Sequence, residues 1–183
     1  MTWDSVPGRC CYGPSSVDSF LIAEPLPPSA VSRSAVFLHP GQLFASSTPH
    51  EVSTLLGSCV AVCLYDELLK MGGMNHFLLP NCPDSQKGSP RFAPGAVACL
   101  LGRMLQMGCN KSQLSAKVFG GACVLRAFRE TSDVGHLGER NAEAACALLR
   151  SHGIAIAAQD TGGYQGRKLM FHTDDGSAFV KGL

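Results

Sequence analysis

The feature of the sequence that most restricts the fold is a pair of apolar runs separated by a short polar segment. The first run covers residues 53–65 and the second covers residues 71–80, with Asp66-Glu-Leu-Leu-Lys70 between them. Val, Leu, Phe and Tyr are frequent in both runs, which is typical of buried strands. The pattern therefore predicts a β-hairpin whose two strands lie inside the protein.

This hairpin brings one cysteine close to one histidine. If a two-residue turn lies at Glu67-Leu68, Cys59 and His76 are direct cross-strand partners. Their Cβ atoms then lie about 5 Å apart on one face of the sheet. An imidazole at that distance can take the thiol proton and leave a thiolate, the form of cysteine that attacks carbonyl carbon. We therefore predict Cys59 as a nucleophile and His76 as its acid–base partner.

The residues around Cys59 are candidates for binding an oxyanion or framing a substrate. Gly57 and Ser58 precede the cysteine, and Val60 follows it. A glycine at this point allows a sharp turn of the backbone. The N–H groups of Gly57, Ser58 and Val60 are then candidates to stabilise a developing negative charge on oxygen.

Two alternatives stay open at the level of these residues. A β-bulge at Gly72-Gly73 would shift the register by one residue and move His76 to the opposite face of the hairpin. A buried cysteine and a strand histidine are also common core residues that have no part in catalysis.

The rest of the chain predicts a mixture of strands and helices. Apolar spacing and turn residues indicate a strand around the turn His39-Pro-Gly41, a helix ended by Gly108, and a second helix with Asn141 as its N-cap. The predicted segments are a strand-like segment over 36–44 around the turn His39-Pro-Gly41, a surface loop over 80–90, a helix over 96–107, a strand over 114–119, a loop over 126–136, a helix over 138–153, a short buried strand over 154–157, and a closing hairpin of 168–171 and 178–180. These elements predict an α+β fold class.

Length and composition indicate a single folded domain with an extension. A chain of 183 residues, 45% of them hydrophobic, can bury one substantial core. Residues 1–34 contain five prolines together with Ser and Gly and show no sustained period. We therefore predict a flexible N-terminal extension over 1–34 and a folded domain over 35–183.

Charge and apolar patterning argue against several classes of protein. The formal net charge of +1 provides no basic surface for nucleic acid. No apolar run approaches the roughly 20 residues of a membrane span, and no signal peptide is visible. These features favour a cytoplasmic protein that is not inserted into a membrane.

The nine cysteines form neither a metal-binding nor a disulfide pattern, because their number is odd and their spacing is irregular. We therefore expect most of them to be reduced core residues, and we expect no metal and no cofactor. Asp160, which precedes Thr161-Gly-Gly163, is a candidate to orient a catalytic partner or simply to cap a turn.

Several separate motifs resemble one known family, the CheD family of chemoreceptor glutamine deamidases. The resemblance spans about His39 to Lys181 and is specific because the motifs agree in order and approximate spacing. They are Leu56-Gly-Ser-Cys-Val-Ala-Val-Cys-Leu-Tyr-Asp66, Gly72-Gly-Met-Asn-His76, Leu79-Pro80, Lys117-Val-Phe-Gly-Gly-Ala122, Gly138-Glu-Arg-Asn141, Asp160-Thr-Gly-Gly163 and Gly166-Arg-Lys168.

The resemblance implies a fold, a reaction and a substrate. The implied fold is a layered α+β domain related to the deamidase domains of bacterial toxins of the cytotoxic necrotizing factor type. The implied activity is that of a protein-glutamine glutaminase, which converts glutamine side chains of methyl-accepting chemotaxis receptors to glutamate through a thioester on Cys59. The same intermediate would permit hydrolysis of glutamyl methyl esters.

The resemblance also implies a third site residue, a threonine shortly before the cysteine that orients the imidazole. Either Ser53 or Thr54 matches this position. Side chains alternate along a strand, so only one of them can share a face with the site, and we favour Thr54 because it keeps the residue type.

Two other functions are compatible with the same residues. Members of the family can engage a CheC-type chemotaxis phosphatase, so the chain is also a candidate for a binding regulator without enzymatic activity. Alternatively, it is a cysteine deamidase that acts on a different protein.

Overall fold

A computed structural model of the protein describes residues 31–124 and 137–183. Within these ranges the chain forms nine strands and two α-helices. In chain order they are β1 (Ser34–Phe37), β2 (Leu43–Ser46), β3 (His50–Leu56), β4 (Val60–Asp66), β5 (Met71–Asn75), α1 (Ala93–Gln106), β6 (Leu114–Gly120), α2 (Leu137–Ser151), β7 (Ala155–Thr161), β8 (Arg167–His172) and β9 (Ala178–Gly182). Short 3₁₀ turns lie at Asp84–Gln86 and Lys111–Gln113.

The strands form two sheets. The first sheet has the order β1-β3-β8-β9, and the second has the order β2-β5-β4-β6-β7. Most neighbours run antiparallel, whereas β1 runs parallel to β3 and β7 runs parallel to β6. The described residues therefore form a mixed α+β architecture, as the sequence predicts.

The central strand β4 of the second sheet is buried on both faces. Along β4, Val60, Val62 and Leu64 lie in the core shared with α1 and α2, whereas Ala61 and Cys63 lie in the core shared with the first sheet. Side chains alternate along a strand, so a strand covered on both sides is apolar at every position. The layers are thus first sheet, second sheet and helices. This arrangement explains why β4 reads as a continuous apolar run.

The predicted hairpin is present, but its turn is longer than predicted. Asp66 pairs with Met71, so the turn contains Glu67 to Lys70 instead of two residues. The carboxylate of Asp66 accepts hydrogen bonds from the N–H groups of Leu68 and Leu69, both at 3.0 Å, and Lys70 adopts a φ of 54°. The side chain of Asp66 therefore closes the turn, a local contact that apolar patterning does not reveal.

The alternative of a β-bulge at the double glycine does not occur. Leu64 pairs with Gly73 and Tyr65 pairs with Gly72, so the register continues without a shift through both glycines. His76 consequently keeps the side-chain alternation that the hairpin imposes.

The other predicted elements agree in part with the structure. The helix ended by Gly108 is α1, and the φ of Gly108 is +97°, which a glycine accommodates without strain. The predicted strand over 114–119 is β6, and the closing hairpin is β8 and β9. The predicted loop over 126–136 lies outside the described residues.

The predicted strand-like segment over 36–44 does contain strands on both sides of the turn at His39-Pro-Gly41, although β1 belongs to the first sheet and β2 to the second. Two other predictions about elements were wrong. Asn141 is not an N-cap but lies inside α2, where its side chain is fully buried. The strand predicted over 154–157 is β7, which is longer and largely exposed because it is the edge of the second sheet.

The compact unit of the structure begins at Val31, slightly before the predicted boundary at residue 35. The guanidinium of Arg33 donates to Asp174 at 2.7 and 2.8 Å and to Asp175 at 2.8 Å, so this residue is tied to the turn between β8 and β9. Most of the predicted extension over 1–34 lies outside the described residues. In the described part of the chain, no helix is both long enough and apolar enough to cross a membrane.

Candidate active site

The loop that carries Cys59 is held through its carbonyl groups. The carbonyl of Gly57 accepts from the N–H of Ala122 at 2.8 Å, and the carbonyl of Cys59 accepts from the N–H of Gly121 at 2.8 Å. The carbonyl between them, that of Ser58, accepts from the side-chain amide of Asn141 at 2.8 Å. All three carbonyls of the loop therefore point toward the end of β6 and toward α2.

This orientation leaves two N–H groups, those of Ser58 and Cys59, on the opposite side of the loop. Across a trans peptide bond the C=O of one residue and the N–H of the next point in opposite directions. Within residues 31–124 and 137–183, no carbonyl accepts a hydrogen bond from the N–H groups of Ser58 and Cys59, and the N–H of Cys59 faces its own thiol. The N–H of Gly57, in the preceding peptide, also lacks a carbonyl acceptor in these ranges. The N–H of Val60, in contrast, donates to the carbonyl of Phe77 at 3.1 Å. Val60 therefore does not fit its expected role as a free oxyanion donor.

Gly120 and Gly121 form the corner that supports this loop. Their φ angles are +107° and +69°, and a side chain at Gly120 would collide with the carbonyl oxygen of Cys59. Arg167 holds the corner from outside, donating to the carbonyls of Gly120 at 3.4 Å and Gly162 at 2.8 Å. The backbones of Gly120 and Cys59 thus approach each other so closely that only glycine fits at position 120.

Asp160 acts on this corner and not on the predicted pair directly. Its carboxylate accepts from Arg167 at 2.9 Å, the same arginine that holds the glycine corner. Asp160 therefore does not orient Cys59 or His76 directly, and it reaches the glycine corner only through Arg167.

Cys59 and His76 share a face but are not direct partners. The ladder of β4 and β5 ends with mutual hydrogen bonds between Val60 and Phe77, so in this register Cys59 lies opposite Leu78. His76 is therefore a diagonal neighbour of Cys59. The predicted register was wrong by two residues, and an even shift leaves side chains on the same face. Both residues consequently point from the second sheet toward the first.

Thr54 comes from the first sheet and meets His76. Its hydroxyl oxygen lies 2.8 Å from the carbonyl of Leu38 and 2.8 Å from Nδ1 of His76. A carbonyl can only accept, so the single hydroxyl proton goes to Leu38 and the hydroxyl accepts from Nδ1–H. Nε2 of His76 then carries a free lone pair. It is buried and has no hydrogen-bond partner among the described residues.

Ser53 points in the other direction. It pairs in the first sheet with Phe37 and Met170, and alternation along β3 places its side chain on the face opposite to Thr54. The structure therefore brings Thr54, and not Ser53, to the imidazole.

The backbone of His76 is fixed by the loop between β1 and β2. Its N–H donates to the carbonyl of Gln42 at 2.9 Å, and its carbonyl accepts from the N–H of Gly41 at 2.7 Å. This loop crosses from the first sheet to the second, so it ties His76 at the point where the two sheets meet. Nothing in the spacing of apolar residues indicates these backbone contacts.

Burial shifts the pKa values of both members of the pair. Removal from water raises the pKa of the Cys59 thiol, because it disfavours the thiolate. Burial, with a smaller contribution from nearby His39, lowers the pKa of His76 from its ordinary value of 6.5 to about 4. These directions favour a neutral thiol and a neutral imidazole in the free protein, instead of the thiolate expected from the sequence.

Four of the other described cysteines differ from Cys59 in their exposure, whereas Cys82 and Cys123 are half-buried like Cys59. Cys63, Cys109 and Cys146 are buried, and burial raises the pKa of each thiol, to about 11 for Cys109. Cys99 lies exposed on α1. In residues 31–124 and 137–183 no group of three His, Cys, Asp or Glu side chains is arranged to hold a metal ion.

A cavity of about 810 Å³ lies beside α2 and the end of β7. Its lining includes Ala142, Cys146 and Gln159, but neither Cys59 nor His76. Its lining also includes Gly121, whose N–H binds the carbonyl of Cys59, so the cavity reaches the support of the Cys59 loop from the side of α2.

Sequence reasoning missed the contact made by Asn141. Its amide donates both to Ser58, at 2.8 Å, and to the carbonyl of Leu78, at 2.8 Å. The motif Gly138-Glu-Arg-Asn141 is visible in the sequence, but its spacing favoured a helix cap. Only the position of α2 shows that this side chain reaches the loop of Cys59.

The chain is similar to a group of curated proteins with one shared description. Residues 78–182 match the family described as "CheD chemotactic sensory transduction", a range that begins after Cys59 and His76. A protein of Anaeromyxobacter dehalogenans named "Probable chemoreceptor glutamine deamidase CheD 1" is 44% identical over 156 residues, which are 85% of this chain and 89% of that protein.

Further relatives carry the same description. A protein of Shewanella oneidensis is 42% identical, with coverage of 81% of this chain and 72% of its own length. One of Rhodospirillum rubrum is 43% identical, with coverage of 79% and 80%. The crystal structure of the Bacillus licheniformis hypothetical protein YfiH aligns with 60% of this chain and 45% of that chain, but a TM-score of 0.37 and 16% identity carry no argument.

The curated relatives extend over most of this chain and most of their own lengths, and their high identity is far above the level of chance similarity. The protein belongs to the CheD family.

Proposed function

We propose that the protein is a protein-glutamine deamidase that converts glutamine side chains of chemoreceptors to glutamate. The observation that carries this proposal is the buried relay from Leu38 through Thr54 to His76, which leaves the Nε2 lone pair on the face shared with the Cys59 thiol. The names of the relatives support the choice of chemoreceptor glutamines as substrates.

The first half of the reaction forms a thioester. Nε2 of His76 takes the thiol proton as Sγ of Cys59 attacks the carboxamide carbon of the substrate. The N–H groups of Ser58 and Cys59 hold the negative oxygen that develops. The imidazolium then returns the proton to the departing nitrogen, which leaves as ammonia. The raised pKa of Cys59 and the lowered pKa of His76 favour neutral groups at rest, so we place proton transfer and attack in the same step.

The second half releases the product. Nε2 accepts a proton from water, and the hydroxide attacks the thioester carbon. The C–S bond breaks, the proton returns to sulfur, and glutamate is left on the substrate. Throughout, Thr54 holds Nδ1–H, so that Nε2 remains the nitrogen that exchanges protons. A glutamyl methyl ester would follow the same path with methanol as the leaving group.

The substrate determines the expected location and partners. The receptor segments expected as substrates are cytoplasmic, so we place the protein in the cytoplasm. We also propose a CheC-type phosphatase as a binding partner. The outer face of the first sheet exposes Phe37, Leu55 and Phe179, which are 47%, 49% and 50% accessible, and this apolar surface is where we expect such a partner.

We further propose that the domain is related in architecture to the deamidase domains of cytotoxic necrotizing factor type toxins. The family resemblance supports this relationship. Superposition of an experimental structure of this protein on such a toxin domain would test it.

The experiment for the main proposal is incubation with a purified cytoplasmic receptor fragment. Ammonia release is measured together with the mass change that accompanies conversion of an amide to an acid. His76→Ala should lower turnover by at least about a hundredfold while binding changes by less than about threefold, because the imidazole acts after the complex has formed. Cys59→Ala should behave likewise.

Matched controls are Cys99→Ser and His152→Ala, which replace the same residue types on the helical side of the protein. Both should retain the turnover of the unmodified protein. If His76→Ala instead abolished binding and left turnover per bound complex unchanged, His76 would be a docking residue and the proposal would fail.

A further inference from the structure

Asn141 connects the segment of the nucleophile with the segment of the histidine. It is fully buried on α2, and its amide nitrogen lies 2.8 Å from the carbonyl of Ser58 and 2.8 Å from that of Leu78. Ser58 immediately precedes Cys59, and Leu78 follows closely after His76. One side chain therefore holds both strands next to the residues proposed to react.

The contact lies where the hairpin ladder ends. Val60 and Phe77 exchange hydrogen bonds of 3.1 and 2.9 Å and form the last rung. In a continuing antiparallel ladder, Ser58 and Leu79 would form the next hydrogen-bonded pair. Instead, the carbonyl of Ser58 is bound by Asn141 from a different layer. The amide thus sets how far the two strands diverge beyond the last rung.

The choice of asparagine at this position is not explained by the helix. Asparagine is a weak helix former, and its Oδ1 is buried without a partner among the described residues. A buried acceptor without a partner costs free energy. Both N–H donors, however, are used on backbone carbonyls, which an aliphatic residue could not bind.

The helix itself is held firmly against the site. Gly138, in the first turn of α2, packs so closely on the backbone of Gly121 and Ala122 that a side chain there would collide with the carbonyl of Gly121. The N–H of Gly121 in turn binds the carbonyl of Cys59. Asn141 therefore projects from a support that cannot shift without moving the Cys59 loop.

We propose that Asn141 is a positioning residue for the deamidation, which sets the geometry between Sγ of Cys59 and Nε2 of His76. This inference rests on the proposed function, because it assumes that these two atoms react. A displacement of about 1 Å between reacting groups can lower a rate by about a hundredfold. Loss of the two hydrogen bonds should therefore affect turnover far more than substrate binding.

The test compares Asn141→Ala and Asn141→Asp with Ala145→Gly, a buried change on the same helix that weakens the helix without touching the loop. The aspartate keeps the shape of asparagine but has at most one donor, so it provides the same comparison if the alanine variant fails to fold. With a receptor fragment as substrate, both Asn141 variants should lower kcat by about a hundredfold and change KM by less than about threefold. Ala145→Gly should lower the melting temperature but keep kcat.

A double variant separates positioning from a general structural role. If Asn141 acts by aligning Cys59 with His76, Asn141→Ala should lower the residual rate of His76→Ala by less than about threefold, since the alignment no longer matters. A further hundredfold loss in that background, or an unchanged kcat of the single variants, would overturn the inference. Full turnover by Cys59→Ala and His76→Ala would instead refute the proposed function.

Discussion

Replacing Thr54 with valine is the sharpest test of the relay to His76, because valine keeps the shape of threonine and removes only the hydroxyl. Two polar groups then lose their partner, the carbonyl of Leu38 and the Nδ1–H of His76. These residues are 3% and 2% exposed, so water cannot replace the hydroxyl. An unpaired buried polar group costs about 1–3 kcal/mol, so with two such groups the free energy of unfolding should fall by about 2–6 kcal/mol. A domain in the upper part of the usual stability range of about 5–15 kcal/mol remains folded after such a loss.

The effect on turnover follows from the tautomer. Without the hydroxyl, nothing keeps the proton on Nδ1, and a proton on Nε2 blocks the nitrogen that must accept from Cys59. General acid–base catalysis contributes about 10²–10⁴ in rate, and the imidazole itself remains present. We therefore expect kcat to fall by about thirtyfold, less than in His76→Ala.

Two variants control for packing and for position. Thr54→Ser keeps the hydroxyl and should retain kcat within about threefold. Ser53→Ala changes the adjacent residue on the opposite face of β3 and should leave both kcat and stability nearly unchanged. Ammonia release from a receptor fragment and unfolding in denaturant provide the two measurements. If Ser53→Ala were as harmful as Thr54→Val, or if Thr54→Val kept full activity, the relay through Thr54 would be wrong.

Two further predictions concern pH and the glycine corner. The pKa of His76 is lowered from 6.5 to about 4 in the folded protein, so the unfolded chain binds the proton first as the pH falls. Stability that is present at neutral pH should therefore be lost as the pH falls from 6.5 to about 4. The expected loss in the free energy of unfolding is roughly 3 kcal/mol. Unfolding in denaturant, measured from pH 7 to 4.5, should show that His76→Gln loses less free energy of unfolding than the unmodified protein. Equal losses in the two proteins would contradict the lowered pKa of His76. Gly120→Ala should lower both stability and turnover, since its φ of +107° and the nearby carbonyl of Cys59 oppose a side chain. Gly102→Ala on α1, where nothing lies within 4 Å, should be neutral or stabilising in the same unfolding assay, and a similar loss in both variants would count against the role of the corner.

The sequence by itself determined the local geometry of the hairpin that carries Cys59 and His76. Apolar runs and turn residues located β4 and β5, and strict alternation of side chains put Cys59 and His76 on one face. The predicted turn is too short because the hydrogen bonds of Asp66 lengthen it, but the resulting shift of two residues is even, so the predicted face is correct. Alternation also established that only one of Ser53 and Thr54 could face the site.

Which of those two residues faces the imidazole was decided by tertiary structure. β3 lies in the first sheet, whereas His76 follows a strand of the second sheet. Alternation along β3 does not reveal which of its two faces the second sheet will cover. Likewise Asn141 reaches Ser58 only because α2 packs on the far side of β4 and β6. The physical reason is the same in both cases: the period of a strand or helix is set by local backbone geometry, whereas the stacking of layers depends on side chains that are distant in the chain.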